Sequence, residues 1–125
     1  MEVDALNDIL LQHDPSLKIE LFENEYLNVY LSKYLILSAW EANEILSLNN
    51  EFELGHFETE KMADFILEIA KGNIVFVEYR SVFRKLFLSK YRVFNKVKFL
   101  RIKSKFIDKK KVRIYSGNEI FQMAD

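Results

Sequence analysis

The stretch LKIELFENEYLNVYLSKYLIL, Leu17 to Leu37, decides the fold, because its aliphatic residues recur at every second position. A period of two is typical of strands that bury one face. The polar residues at Glu23 to Glu25 interrupt the alternation, which predicts a hairpin, and the apolar run KYLIL predicts a third, more buried strand. The stretch thus predicts a three-stranded antiparallel meander. The apolar spacing of Tyr26 to Leu46 also fits a continuous helix, so both readings stay open.

Helical spacing appears on both sides of this meander. An amino-terminal helix is predicted from Val3, Leu6, Ile9 and Leu10, and it ends before Asp14-Pro15 because proline cannot continue a helix. Ser38 and Glu41 have the spacing of a capping box, which predicts a helix from Ala39 to Leu48. A further helix is predicted from Thr59 to Lys71, with Gly72 as its left-handed stop.

The last third of the chain combines strand and helix patterns. NIVFVEY, Asn73 to Tyr79, predicts a buried strand, and SVFRKLFLSKYRVF, Ser81 to Phe94, has helical spacing. In Lys96 to Tyr115 the apolar residues alternate but slip phase at Phe99-Leu100, which predicts a bulged strand, a turn and a second strand. These elements predict an α+β fold, with all of residues 1–125 in a single compact domain that ends in a basic β-hairpin.

The formal net charge of −1 hides a strong asymmetry along the chain. Residues 1–70 contain fifteen acidic and three basic residues, a net charge of −12, whereas residues 71–125 contain four acidic and fifteen basic residues, a net charge of +11. Such asymmetry indicates charged partners, or pairing of one half of the chain with the other.

The candidate binding site is the basic face of the predicted terminal hairpin. Lysine and arginine on one side of a sheet can neutralise phosphates or carboxylates of a partner. The residues assigned to this face are Lys96, Lys98, Arg101, Lys103, Lys105, Lys111 and Arg113.

No pattern in the sequence indicates catalysis, a cofactor or a metal. The chain has no cysteine and two isolated histidines, and His56 in GHFETE lacks the ligand spacing of a metal site. Its three glycines do not form a phosphate-binding loop. We therefore assign no catalytic, cofactor-binding or metal-ligating residue. The absence of cysteine predicts a reducing cytoplasm, and the absence of an apolar run of about 20 residues predicts no membrane span.

Three functional hypotheses follow from the sequence. The first is a non-catalytic protein-interaction module that binds a protein partner, or a second copy of itself, through complementary charge. The second is a nucleic-acid-binding domain that uses the basic region of residues 80–113. The third is a small enzyme or ligand binder with a scattered site, for example Glu78, Tyr79, Arg80 and His56.

Overall fold

The computed structural model describes residues 1–32, 35–83, 86–102, 112–117 and 120–122. Three α-helices and two antiparallel sheets occur in these residues, which confirms the α+β class. The chain divides into two compact units, unit 1 (Met1–Glu68) and unit 2 (Ile69–Asp125). The assignment of residues 1–125 to one domain stays a prediction. Among the described residues, no helix has the length and apolar character needed to cross a membrane.

Unit 1 contains a five-stranded meander in which each strand pairs with the next one along the chain. Helix α1 (Val3–His13) precedes it and ends before Pro15, as predicted. The first three strands confirm the predicted meander, so the alternative of a helix through Tyr26 to Leu46 is wrong. The strands are β1 (Lys18–Phe22), β2 (Tyr26–Ser32), β3 (Leu35–Trp40), β4 (Ile45–Leu48) and β5 (Phe52–His56).

The predicted helix from Ala39 to Leu48 is wrong. A short 3₁₀ segment, Ala42–Glu44, leads into β4, which forms a hairpin with β5. Asn49 and Asn50, in the turn, have φ of 53° and 58°, a conformation that asparagine tolerates better than other non-glycine residues and that type I′ turns require. The turn residues and the alternation of buried Leu46 and Leu48 outweigh the capping signal.

The apolar residues of unit 1 occupy one face of the sheet and one side of α1. Leu27, Val29, Leu37 and Leu46 alternate with more accessible residues along their strands and are fully buried. Val3, Leu6 and Leu10 form the buried stripe of α1, which contacts β1 and β2. The opposite face of the sheet, which we call the outer face, carries polar and aromatic side chains.

Helix α2 (Thr59–Ala70) confirms the predicted third helical segment. Its buried residues, among them Met62, Ile66 and Ile69, recur at three- and four-residue spacing. Gly72 follows with φ of 80°, and its amide donates to the carbonyl of Ile69 at 3.0 Å. This left-handed stop was predicted from the sequence.

Unit 2 contains a four-stranded antiparallel sheet in the order β7-β6-β8-β9. Its strands are β6 (Ile74–Phe83), β7 (Leu86–Asn95), β8 (Val112–Ser116) and β9 (Ile120–Gln122). The predicted helix over Ser81 to Phe94 is wrong, because the described residues of this stretch form the end of β6 and most of β7. The apparent helical pairs are cross-strand partners: Val82 lies opposite Phe87, and Phe83 lies opposite Leu86.

The first strand of the predicted basic hairpin is wrong over Lys96 to Ile102, and its remainder, residues 103–107, lies outside the described residues. Residues Lys96–Ile102 form helix α3, whose start is fixed by Asn95: its side-chain oxygen accepts a hydrogen bond from the Lys98 amide at 2.8 Å. The slip in the apolar alternation at Phe99-Leu100 reflects the spacing of this helix. Phe99 is buried, and Ile102, three residues later, packs against the same cluster. The predicted second strand is present as β8, but it pairs with β6 and β9. The predicted turn, Asp108 to Lys111, lies outside the described residues.

The core of unit 2 lies between α3 and one face of its sheet. A cluster of buried apolar residues forms it, with Tyr79 and Ile102 packed at its margin. Gly117, at the end of β8, approaches the end of α2 so closely that a Cβ atom there would lie 1.9 Å from the Ile69 carbonyl oxygen. The cluster consists of Val75, Val77, Phe94, Phe99, Val112 and Ile114.

Candidate interaction surfaces

Three aromatic rings form a continuous row across the outer face of the unit 1 sheet. Phe22, Tyr26 and Trp40 are register partners on β1, β2 and β3, so their side chains lie on the same face. The ring centroids of Phe22 and Tyr26 are 4.5 Å apart, and those of Tyr26 and Trp40 are 4.4 Å apart, both in stacked geometry. The two outer members remain 36% and 39% exposed. We call these three residues the aromatic row.

The stacking determines what the aromatic row presents to solvent. Because the rings face one another, both faces of Tyr26 are covered by its neighbours. The surface is therefore a stripe of apolar ring edges, which suits aliphatic side chains of a partner better than flat stacking on a nucleobase. Cross-strand aromatic pairs also stabilise a sheet by about 0.2–1 kcal/mol each, so the row has a structural role as well.

A set of polar side chains lies beside the aromatic row on the same face. Ser38 donates to Asn28 Oδ1 at 2.6 Å, and Asn28 Nδ2 donates to the Tyr30 hydroxyl at 3.3 Å. The Tyr30 hydroxyl in turn donates to Glu20 Oε1 at 2.9 Å. All of these donors are neutral, so the contacts orient Glu20 without cancelling its negative charge.

Carboxylates surround the end of the sheet at which the aromatic row lies. Glu23 and Glu25 flank the tip of the β1–β2 turn and are exposed. Glu41 directly follows Trp40, and its side chain accepts a hydrogen bond from the Val3 amide at 3.1 Å, so it caps α1. Glu44 lies 3.2 Å from the amino group of Met1. The result is an apolar stripe with acidic residues at its border.

His56 does not belong to a metal site in the described part of the chain. Its Nδ1 lies 2.7 Å from the carbonyl oxygen of Asn43, and its Nε2 lies 3.0 Å from Glu53 Oε1. Among the described residues, no group of three or more histidine, aspartate or glutamate side chains has the arrangement of a metal site. The Nδ1 contact joins β5 to the preceding 3₁₀ segment, and the Nε2 contact lies within β5.

The structure distributes the candidate basic residues over different elements. Lys96, Lys98 and Arg101 lie on α3, where Lys98 and Arg101 are exposed. Arg113 lies on β8 and is largely buried. The remaining candidates, Lys103, Lys105 and Lys111, lie outside the described residues. The described candidates therefore do not share one face of a hairpin.

Arg113 forms a largely buried ion pair in the unit 2 sheet. It is the register partner of Glu78, and its Nη1 lies 3.5 Å from Glu78 Oε1. The two side chains are 17% and 5% exposed. Neighbouring Tyr79 packs against the core cluster on the opposite face of β6, since successive strand residues alternate. Glu78 and Tyr79, two members of the proposed scattered site, therefore lie on opposite faces of β6. The side chain of Arg80 is not among those that the structure describes. His56, the fourth member, belongs to unit 1.

The aromatic row is a feature that sequence reasoning missed. Phe22 and Tyr26 flank the polar turn at Glu23 to Glu25, and the residues that flank a tight hairpin turn face each other across the strands. The predicted meander was sufficient to place these two rings together. Trp40 was not placed, because the residues following Ser38 were assigned to a helix.

Comparisons with known proteins give no functional assignment for these surfaces. No protein-family model matches the chain, and neither the curated proteins nor the solved structures yield one that is significantly similar to it.

Proposed function

We propose that the chain is a non-catalytic protein-interaction module whose two units carry surfaces of opposite charge. The observation that carries this proposal is that the boundary between the two units coincides with the point at which the chain changes from acidic to basic. Unit 1 ends at Glu68, and residues 69 and 70 are uncharged, so unit 1 contains all fifteen acids and three bases of the acidic half, a net charge of −12. Unit 2 contains the other four acids and fifteen bases, a net charge of +11.

The contacts of the acidic side chains support this proposal. Glu20 and Glu41 accept hydrogen bonds from a hydroxyl and a backbone amide, both of which are neutral. Unit 1 contains fifteen acidic residues and three lysines, so its carboxylates outnumber its basic side chains fivefold. A field of one sign raises the association rate with an oppositely charged partner and disfavours partners of like charge.

Two exposed basic residues of unit 2 lie together on α3. Arg113 is engaged with Glu78 and is mostly withdrawn from solvent, whereas Lys98 and Arg101 project from the helix surface. We assign the binding of an acidic partner to α3 and the binding of a basic partner to the outer face of unit 1. We place this activity in the reducing cytoplasm, because the chain has no cysteine.

Two charged peptide probes test the proposal. We expect a fluorescent lysine-rich peptide and a fluorescent glutamate-rich peptide each to bind, with affinities that fall between about 50 and about 200 mM salt because exposed charges are screened. The double variant Glu23→Lys/Glu25→Lys should weaken only the lysine-rich probe, and Lys98→Glu/Arg101→Glu should weaken only the glutamate-rich probe. Equal losses of both probes in both variants, or no binding by either probe, would contradict the proposal.

Nucleic-acid binding is the second candidate function, and the β6–β7 hairpin favours it. Ten residue pairs form this hairpin, and its sequence contains Arg80, Arg84, Lys85, Lys90 and Arg92. Residues 75–79 of β6 also pair with β8, but among the described residues 80–83 pair with β7 alone, and a two-stranded ribbon has the width to enter the major groove of duplex DNA. Anisotropy titrations with duplex and single-stranded DNA and RNA test this candidate: binding that falls steeply with salt and is lost in Arg80→Glu/Lys90→Glu/Arg92→Glu would favour nucleic acid over a protein partner.

A further inference from the structure

The exposed side of α3 combines apolar and basic residues. Val97 and Leu100 are 62% and 46% exposed, which is unusual for aliphatic residues three positions apart on a short helix. Lys98 and Arg101 are exposed directly beside them. Phe99 is fully buried, so the helix is held by its other side. We call Val97, Lys98, Leu100 and Arg101 the α3 face.

The border of the aromatic row has the complementary combination. Its ring edges supply the apolar part, with Phe22 and Trp40 as its most exposed members. Glu23 and Glu25 lie in the turn that joins Phe22 to Tyr26, and both are exposed. A backbone hydrogen bond of 2.9 Å from Glu41 to Glu25 fixes this turn beside the end of β3. The backbone that carries both glutamates is thus held beside the aromatic row.

We infer that the α3 face of one copy of this chain docks on the aromatic row of a second copy. This inference rests on the proposed function, and it names the partner of both charged surfaces. Val97 and Leu100 would lie against the ring edges, where they are withdrawn from water. Lys98 and Arg101 would lie opposite Glu23 and Glu25, where opposite charges fix the orientation.

A second copy is favoured over an unrelated partner because the chain itself contains both halves of the match. The α3 face exposes two apolar side chains and carries two positive charges, and the aromatic row exposes two apolar rings and is bordered by the negative charges of Glu23 and Glu25. Both surfaces are solvent-accessible in the single chain, so each is available to another molecule.

The contact is of the heterologous kind, since two different surfaces meet. Two copies can form it reciprocally and close as a dimer; otherwise the same contact repeats and builds a ring or an open chain. The small number of apolar side chains predicts a weak and reversible association.

Sedimentation velocity over a wide concentration range tests the inference. We expect concentration-dependent association of the wild type that weakens at least about fivefold between about 50 and about 500 mM salt, since the charged part of the contact is screened. Lys98→Glu/Arg101→Glu and Glu23→Lys/Glu25→Lys should each weaken self-association more than about tenfold, because like charges then face each other. The matched controls are Lys61→Glu/Lys71→Glu and Asp4→Lys/Asp8→Lys, which change exposed positions outside both surfaces by the same charge and should associate as the wild type does.

Mixing the two charge-reversed variants gives the decisive result. In the mixture, each surface of one variant meets an oppositely charged surface on the other, so we expect association to return. Circular dichroism of each variant confirms that it is folded before mixing. A wild type that stays monomeric at every concentration, or a mixture that fails to associate, would overturn the inference. The peptide-binding test of the proposed function can still succeed in that case, so the two failures are distinguishable.

Discussion

The five-stranded sheet of unit 1 and the four-stranded sheet of unit 2 place their charged side chains differently. On the outer face of unit 1, Glu20 accepts a hydrogen bond from the exposed Tyr30 hydroxyl. In unit 2, Glu78 and Arg113 pair across neighbouring strands and are largely buried. The Glu20 carboxylate therefore stays at the surface of the first sheet, whereas the Glu78–Arg113 pair is withdrawn into the second sheet. The difference teaches that a charge count alone does not locate a binding surface.

The two units also differ in how tightly a glycine is packed, and this difference predicts the largest loss of unfolding free energy. Gly117→Ala in unit 2 would place a methyl group against the Ile69 carbonyl, so we expect a loss of more than about 3 kcal/mol of unfolding free energy. Gly55→Ala in unit 1 meets the movable Phe57 ring at 3.1 Å and a φ of 152°, and should cost about 1–2 kcal/mol. Urea unfolding followed by circular dichroism measures both. Equal costs would contradict the close approach at Gly117.

Breaking an ion pair should cost far more in unit 2 than in unit 1. Glu78→Ala leaves Arg113 without its carboxylate inside the protein, and we expect a loss of about 3 kcal/mol. Glu53→Ala removes the exposed partner of His56 and should cost less than about 1 kcal/mol. Urea unfolding of the two variants at neutral pH gives both values. A small cost for Glu78→Ala would mean that water reaches this pair and that the contrast between the sheets is wrong.

Truncating the aromatic row should separate stability from binding. Trp40→Ala removes one stacked pair and part of the apolar stripe, so we expect a loss of about 1–2 kcal/mol and weaker self-association. Trp40→Phe keeps a ring at this position and should restore most of the stability. Urea unfolding and sedimentation velocity provide the two measurements. A folded Trp40→Ala variant that associates as the wild type does would remove the aromatic row from the proposed contact.

We expect the smallest changes in unfolding free energy when two buried serines are replaced by alanine. Ser38 in unit 1 donates to Asn28, so Ser38→Ala should cost about 1 kcal/mol. Ser116 in unit 2 is fully buried, and its hydroxyl has no hydrogen-bond partner in the described part of the chain, so Ser116→Ala should be neutral or stabilising by up to about 1 kcal/mol. Thermal unfolding of the matched pair resolves the sign. An equal loss of unfolding free energy in Ser116→Ala and Ser38→Ala would mean that the Ser116 hydroxyl has a hydrogen-bond partner after all.

The sequence was sufficient wherever the periodicity and the local stop signals agreed. Alternation with polar interruptions predicted β1 to β3, and helical spacing with Gly72 behind it predicted α2. Prediction failed where one pattern fits two structures. Val82, Phe83, Leu86 and Phe87 have the spacing of a helix, but the same symmetric spacing arises in two antiparallel strands, where Val82 is paired with Phe87 and Phe83 with Leu86.

In the α3 segment a helix was predicted as a strand. A slip in the apolar alternation at Phe99-Leu100 was interpreted as a bulge in a strand, although Asn95 three residues before Lys98 offered a helix cap. Sequence also predicted the charge split between the two halves of the chain. It did not reveal that Arg113 is engaged with Glu78, because that pairing depends on β8 lying beside β6, which is a long-range choice.

Nuclear magnetic resonance titration with the two charged peptides tests the central claim most directly, because it shows which residues respond. The account predicts that the lysine-rich peptide shifts the Trp40 indole and the amides of Glu23 and Glu25, and that the glutamate-rich peptide shifts the amides of Lys98 and Arg101. Each peptide should leave the other set unchanged. Shifts of both sets with one peptide, or of neither set with either peptide, would contradict the claim that the two units carry separate interaction surfaces of opposite charge.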